Sequence, residues 1–149
     1  VGFNLAACSE HAMEVDEVAA YPGKITVLNG ALKHHSTPMM GASSSLAALL
    51  MDVRDQDPDR TAILNLRAPA NDDGIRRTVI DRVVSALGWS MVEAPRGRLQ
   101  DGVGEIDLVL DTGGFGWEPG LYVLGHHPLD VVDRANRLIA VLKVTEAAA

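Results

Sequence analysis

Apolar positions along the chain alternate between short continuous runs and longer stripes at helical spacing. Ile25-Thr26-Val27-Leu28, closed by Asn29-Gly30, predicts a buried strand followed by a turn. Leu46, Leu49, Leu50 and Val53 then recur at the three- and four-residue spacing of one helix face, behind Ser43, Ser44 and Ser45, whose hydroxyls suit a helix start. After the polar stretch Asp55-Gln56-Asp57-Pro58-Asp59, the run Ala62-Ile63-Leu64-Asn65-Leu66 predicts a second strand. A second stripe follows in Ile75, Val79, Ile80, Val83 and Leu87, with Asn71-Asp72-Asp73 as its expected cap and Gly88 as its stop. Further strands are expected at 90–94, 106–110 and 121–124. A last helix runs from about Asp130 to Lys143, with Val131, Ala135, Leu138, Ile139 and Leu142 on its inner side.

Continuous apolar strands separated by amphipathic helices point to a sheet covered on both faces. The expected fold class is therefore α/β, a mainly parallel sheet with helices on both faces, Rossmann-like or P-loop-like. Residues 1–23 show no sustained period and are expected to form an N-terminal arm, leaving 24–149 as a single α/β domain. No apolar run reaches the length of a membrane-spanning helix. The lone Cys8 excludes an internal disulfide, the N-terminal residues carry no secretory pattern, and the expected compartment is the cytoplasm. A net charge of −7 opposes non-specific binding to nucleic acid. The arginines at 76, 77, 82, 96 and 98 are interleaved with Asp72, Asp73, Asp81 and Asp101, a mixed-charge face.

In open parallel sheets ligands bind beyond the carboxyl ends of strands, so the loops after the apolar runs carry the candidate chemistry. Gly41-Ala42-Ser43-Ser44-Ser45 places a glycine and hydroxyls at a helix N-terminus, where free N–H groups and the positive dipole end suit a phosphate. Asp111-Thr112-Gly113-Gly114 places a carboxylate at a strand end before glycines, a geometry suited to Mg²⁺. Together with residues 61–66 and 105–114, in that order and rough spacing, these segments resemble the MinD/ParA-type P-loop ATPases over about residues 24–143. The resemblance implies cofactor binding, as ATP and Mg²⁺, at Gly41, Ala42, Ser43 and Ser44. Ser43 and Asp111 would be on the metal side, with Asp111 as the catalytic carboxylate. Ala42 stands where such a loop carries its lysine, and Asn65 where the family tends to carry an aspartate. The implied protein is thus a divergent nucleotide-binding domain with weak or lost NTPase activity, a switch or scaffold for a protein partner or a homodimer.

Two other readings stay open on the residues alone. One is a non-enzymatic α/β interaction domain that uses the last helix. The other is a degenerate PD-(D/E)xK nuclease-like domain, because 77–88, 90–94, 104–109 and 121–124 resemble that helix-and-three-strand core. Its Glu-x-Lys is replaced here by Leu124-Gly125-His126. The pairs His34-His35 and His126-His127 could meet at one sheet edge and offer imidazoles to zinc, although neighbouring residues in a strand face opposite ways.

Overall fold

The computed structural model describes residues 3–34, 36–99 and 104–148. Strands β1 (Leu5–Ala7), β2 (Ala19–Ala20), β3 (Ile25–Leu28), β4 (Ala31–His34) and β5 (Met39–Met40) precede helix α1 (Ser44–Gln56). After it come β6 (Ala62–Arg67), β7 (Ala70–Asn71), β8 (Gly74–Ile75), helix α2 (Arg77–Leu87), β9 (Met91–Glu93), β10 (Leu108–Asp111), β11 (Gly120–Gly125) and helix α3 (Pro128–Ala148). Seven strands form one sheet in the order β5-β2-β1-β6-β11-β10-β9.

Alternation along these strands divides the core into two layers. Leu64, Leu108, Leu110, Leu121 and Val123 face α2 and α3, through Val79, Ile80, Val83, Val131, Ala135 and Leu138. Ala6, Ala20, Ile63, Val109 and Leu124 face α1, through Leu46, Leu49, Leu50 and Val53. The pairs Leu5↔Leu64 and Ala6↔Ile63, like Leu108↔Val123 and Val109↔Tyr122, keep this partition from strand to strand. Each fully buried aliphatic side chain contributes ~1.5–3 kcal/mol, so both layers hold the helices firmly. The α/β class with helices on both faces is what the chain adopts.

Strand direction differs from expectation. Among the described residues only β9 and β10 run parallel, and the other neighbours in the main sheet are antiparallel. Continuous apolar runs report burial on both faces and carry no information on direction, so the mainly parallel sheet is corrected to a mixed, mostly antiparallel one. The expected arm of residues 1–23 supplies β1 and β2, and β1 lies inside the sheet between β2 and β6. Ile25–Leu28 is not a strand of this sheet. It pairs with Ala31–His34 in a hairpin whose turn residues Asn29 (φ 53°) and Gly30 (φ 78°) both take left-handed backbone. Asn-Gly is the pair that a tight two-residue hairpin turn favours, and Leu28 and Leu32 lie exposed on its strands.

Asn71-Asp72-Asp73 does not cap α2. It forms the turn of the β7–β8 hairpin, where the Asp73 N–H donates to Asn71 Oδ1 at 2.9 Å, and the helix begins at Arg77. Gly88 ends α2 as expected, with left-handed backbone at φ 69°. No helix among the described residues is long and apolar enough to cross a membrane.

Candidate functional site

The register of β6 and β11 sets Asn65 opposite Tyr122 on the face that α1 covers, near the carboxyl end of β6. α1 begins beside this pair, and the space between is a cavity of about 550 Å³. Asn65 and Tyr122 line it together with Ala42, Ser43, Ser45 and Leu46 from the start of α1. Arg96, Gly97 and Trp117 lie on one flank, and Tyr21 and Lys24 on another. A second cavity of about 520 Å³ adjoins it, sharing Lys24, Asn65 and Tyr122 and adding Arg67, Glu118 and Pro119. The two form one cleft with two lobes, each with its own arginine.

Asn4 and Asn65 brace the floor. The Asn4 N–H donates to Asn65 Oδ1, while the Asn4 side chain accepts from the Tyr21 N–H at 3.1 Å and donates to the Tyr21 carbonyl at 2.9 Å. Asn4 is itself buried. Burial first, and the charge of Asp111 second, push the Tyr122 phenol above its ordinary range, so at neutral pH it is a neutral hydroxyl able to donate.

Asp111 is wholly buried at the end of β10. Its Oδ1 accepts from the Arg96 N–H at 3.0 Å and the Gly113 N–H at 2.8 Å, and its Oδ2 accepts from the Trp117 indole N–H at 2.7 Å. One carboxylate therefore ties together the two segments that carry Arg96 and Trp117 into the cleft. Arg96 sits at φ 56° between Pro95 and Gly97, and Lys24 at φ 67° after Gly23. Non-glycine residues held in the left-handed region cost about 1–3 kcal/mol each and cluster where function keeps them. A Cβ added at Gly114 would lie 2.8 Å from Arg96 Nε, so the guanidinium rests directly on that glycine. Among the described residues no carboxylate forms an ion pair with Lys24, Arg67 or Arg96.

The residues singled out from sequence are divided by this geometry. Ala42 and Ser43 line the cleft, and Ser43 is the N-cap of α1 without a side-chain capping bond, leaving its hydroxyl free for other partners. Gly41, at φ 72°, spends its N–H on the Val18 carbonyl at 2.9 Å, and Ser44 is exposed outside the lining. Asp111 lies behind the wall with both oxygens engaged, a holder of the loop. Lys24, Arg67, Arg96, Trp117 and Tyr122 were not anticipated. Pro22-Gly23 and Pro95-x-Gly97 are turn signals that could have drawn attention to the cations beside them.

The same geometry removes the P-loop arrangement. β3 lies outside the main sheet, β6 and β10 are separated by β11, and Gly41 follows an exposed edge strand paired antiparallel to β2. The nuclease-like core fails as well, because β9 joins β10 in parallel, so that among the described residues β9, β10 and β11 do not form an antiparallel meander. His34 lies in the β3–β4 hairpin, and His126 sits at the far end of the sheet beside Arg60 and Asp59, while His35 is outside the described residues. Among the described residues no group of three or more His, Cys, Asp or Glu is placed to hold a metal ion.

Comparison with known proteins agrees with the geometry. The model of the family described as thiamine-phosphate synthase ThiN matches residues 1–137. The chain is 23% identical over 152 residues to the thiamine-phosphate synthase ThiN of Methanothermobacter thermautotrophicus, with 91% of this chain and 78% of that protein covered. Its fold is similar to the crystal structure of the C-terminal domain of protein MJ0236, with a TM-score of 0.76 at 21% identity over 97% of this chain and 83% of that one. It is also similar to the C-terminal domain of phosphomethylpyrimidine kinase, with a TM-score of 0.72 at 19% identity over 93% of this chain and 85% of that one. The resemblance to MinD/ParA ATPases, and with it the nucleotide switch or scaffold, is overturned by the family match, and ATP and Mg²⁺ no longer follow from it. A match over this much of the chain places it in the family: the chain belongs to the family described as thiamine-phosphate synthase ThiN.

Proposed function

We propose that this protein takes part in forming thiamine phosphate, the product named in its family's description, and that the two-lobed cleft is where it does so. The observation that carries the reading is the set of cations facing the cleft. In a chain of net charge −7, Lys24, Arg67 and Arg96 converge there without carboxylate partners among the described residues, and two of them sit on left-handed backbone. Such a site suits an anion, and the free N–H groups at the start of α1 add to it.

Thiamine phosphate joins an aminopyrimidine, through a methylene, to a thiazolium whose side arm bears the phosphate. A site that makes it must hold two ring systems edge to edge and keep water from the bond being formed. Two lobes sharing Lys24, Asn65 and Tyr122 meet that need, with Tyr21 and Trp117 as flat apolar walls for the first lobe. Arg96 and Arg67 would each steady a negative group, one per lobe. The neutral Tyr122 hydroxyl at the junction would orient a polar ring edge.

The test is to supply a thiazole phosphate with an aminopyrimidine whose exocyclic methylene carries a diphosphate, so that the methylene C–O bond breaks and pyrophosphate leaves as the thiazole nitrogen bonds to that carbon, and to follow thiamine phosphate by chromatography. Formation that falls at least ten-fold in Arg96→Ala and Lys24→Ala supports the reading. No product, with saturable stabilisation by thiamine phosphate, would make the cleft a binding site only. Neither product nor stabilisation would sink it.

A further inference from the structure

We propose that Phe115 is a specificity-determining contact that folds down on the ring of a ligand seated in the first lobe. The proposal rests on the reading of the cleft given above and adds to it a residue that does not line the cavity. The chain has six aromatic residues, and three of them, Tyr21, Trp117 and Tyr122, are on the cleft wall. Phe115 is the one that stands wholly in solvent, at 100% relative exposure.

Its position is built with care. Gly114 and Trp117 exchange both backbone hydrogen bonds, N–H to O at 2.9 and 3.0 Å, and so close a two-residue turn with Phe115 and Gly116 at its tip. Gly116 takes left-handed backbone at φ 71°. The base of the turn is fixed from beneath, where Asp111 accepts from the Gly113 N–H and from the Trp117 indole. One neighbour of Phe115 is the glycine on which the Arg96 guanidinium rests, and Trp117, two residues on, is a wall of the cleft. Phe115 is thus bracketed in sequence by the glycine that supports Arg96 and by Trp117, and both Arg96 and Trp117 line the first lobe.

The Phe115 side chain touches nothing and Gly116 beside it has open space, so the ring can turn about its own bonds while Gly113 and Gly114, packed against Trp117, Pro119 and Arg96, keep the root in place. A fully hydrated phenyl ring costs the free protein what it could recover on covering a flat apolar surface. The surface it would cover is the outward side of a heteroaromatic ring resting on Trp117. Closure there would sandwich the ring and shield the junction of the two lobes, whereas a bare phosphate at Arg96 and Lys24 offers nothing to cover.

The experiment measures dissociation constants for thiamine phosphate and for inorganic phosphate, by titration calorimetry and by thermal shift, in the unmodified protein, Phe115→Ala and Phe115→Trp. Phe115→Ala is expected to unfold at the same temperature as the unmodified protein without ligand, because the side chain touches nothing there. It should bind thiamine phosphate about ten-fold more weakly and phosphate equally well, and Phe115→Trp should restore the tighter binding. Equal affinity of Phe115→Ala and the unmodified protein for thiamine phosphate overturns the proposal, as does an equal loss for both ligands. Failure of the unmodified protein to bind thiamine phosphate overturns the reading of the cleft, and this proposal with it.

Discussion

Replacing Asp111 with alanine separates two roles for that carboxylate by the sign of the effect. A buried carboxylate kept for a bound metal is a liability in the free protein, and its removal would leave stability unchanged or raised. The geometry instead engages both oxygens with three N–H donors, from Arg96, Gly113 and Trp117. Hydrogen bonds to a charged acceptor contribute ~1.5–3 kcal/mol each. Their loss is not fully additive, because the Gly113 and Trp117 donors lie on an exposed loop that water can reach once it opens. A net loss of about 3–5 kcal/mol is expected, a large share of the ~5–15 kcal/mol that holds a typical domain. With a urea slope of about 2 kcal/mol/M, the midpoint should fall by roughly 2 M. Trp117 emission should shift as its indole loses its partner, and affinity for thiamine phosphate should fall because Arg96 is no longer pinned. Asp111→Asn keeps one acceptor but turns an amide donor toward other donors, so it should lie between. A midpoint change under about 0.5 M in Asp111→Ala, with unchanged ligand affinity, would refute the reasoning.

Other outcomes follow from burial, close packing and the shifted carboxyl and phenol groups. Arg60 is buried with Asp57 and Asp107, so Arg60→Ala should cost about 3–5 kcal/mol in chemical denaturation, leaving Asp107 the Arg134 guanidinium and the Ser90 N–H but removing the cation it shares with Asp57. A methyl group in Gly125→Ala would meet the Val131 backbone N at 2.8 Å, so this variant should lose about 2 kcal/mol or more, while Gly114→Ala should change stability little and weaken ligand binding by displacing Arg96. The raised Tyr122 phenol means that the native state keeps a proton the unfolded chain gives up from about pH 10 upward. Stability should fall as pH climbs from there through the native value, and Tyr122→Phe should flatten that limb in melting curves taken between pH 9 and 11.5. Asp52 on α1 is raised by burial and then by Asp55, so its ionisation weakens the fold as pH rises from its ordinary range; Asp52→Asn should melt slightly higher at pH 7 and equally at pH 3.

The helices were legible because burial on one side leaves a period: Leu46, Leu49, Leu50 and Val53 mark α1, and Gly88 ends α2 in the conformation that glycine favours. The strands at 62–67, 108–111 and 120–125 were legible as apolar runs for a similar reason. What the pattern lacked was direction and partner. β1 is three residues of small and apolar side chains, too short to show a period, and its place beside β6 is set by contacts far along the chain. The cleft was half legible. The start of α1 carries hydroxyls that can be read locally, and Ala42 and Ser43 do line it. Lys24 and Arg96 come from turns, where a cation is usually just solvated, and only the folded chain brings them to one cavity. Asp111 was correctly seen as a carboxylate at a strand end. That its oxygens would be consumed by the loop that follows depends on Trp117, whose indole has no signature in the sequence.

The order of the strands has a bearing on how the chain is made. Leu5 must pair with Leu64, about 60 residues later, and β6 and β10 are joined only through β11, the last strand to be synthesised. Until Gly120–Gly125 is present, two half-sheets each keep an open edge with unpaired backbone, the kind of edge that captures other chains. Folding should therefore end in one late closure, slow for the chain's size because its pairings are distant. Fragments or stalled chains ending before residue 120 are where aggregation should begin, and a ligand that fills the cleft, whose floor includes Tyr122 of that strand, should hasten the final step.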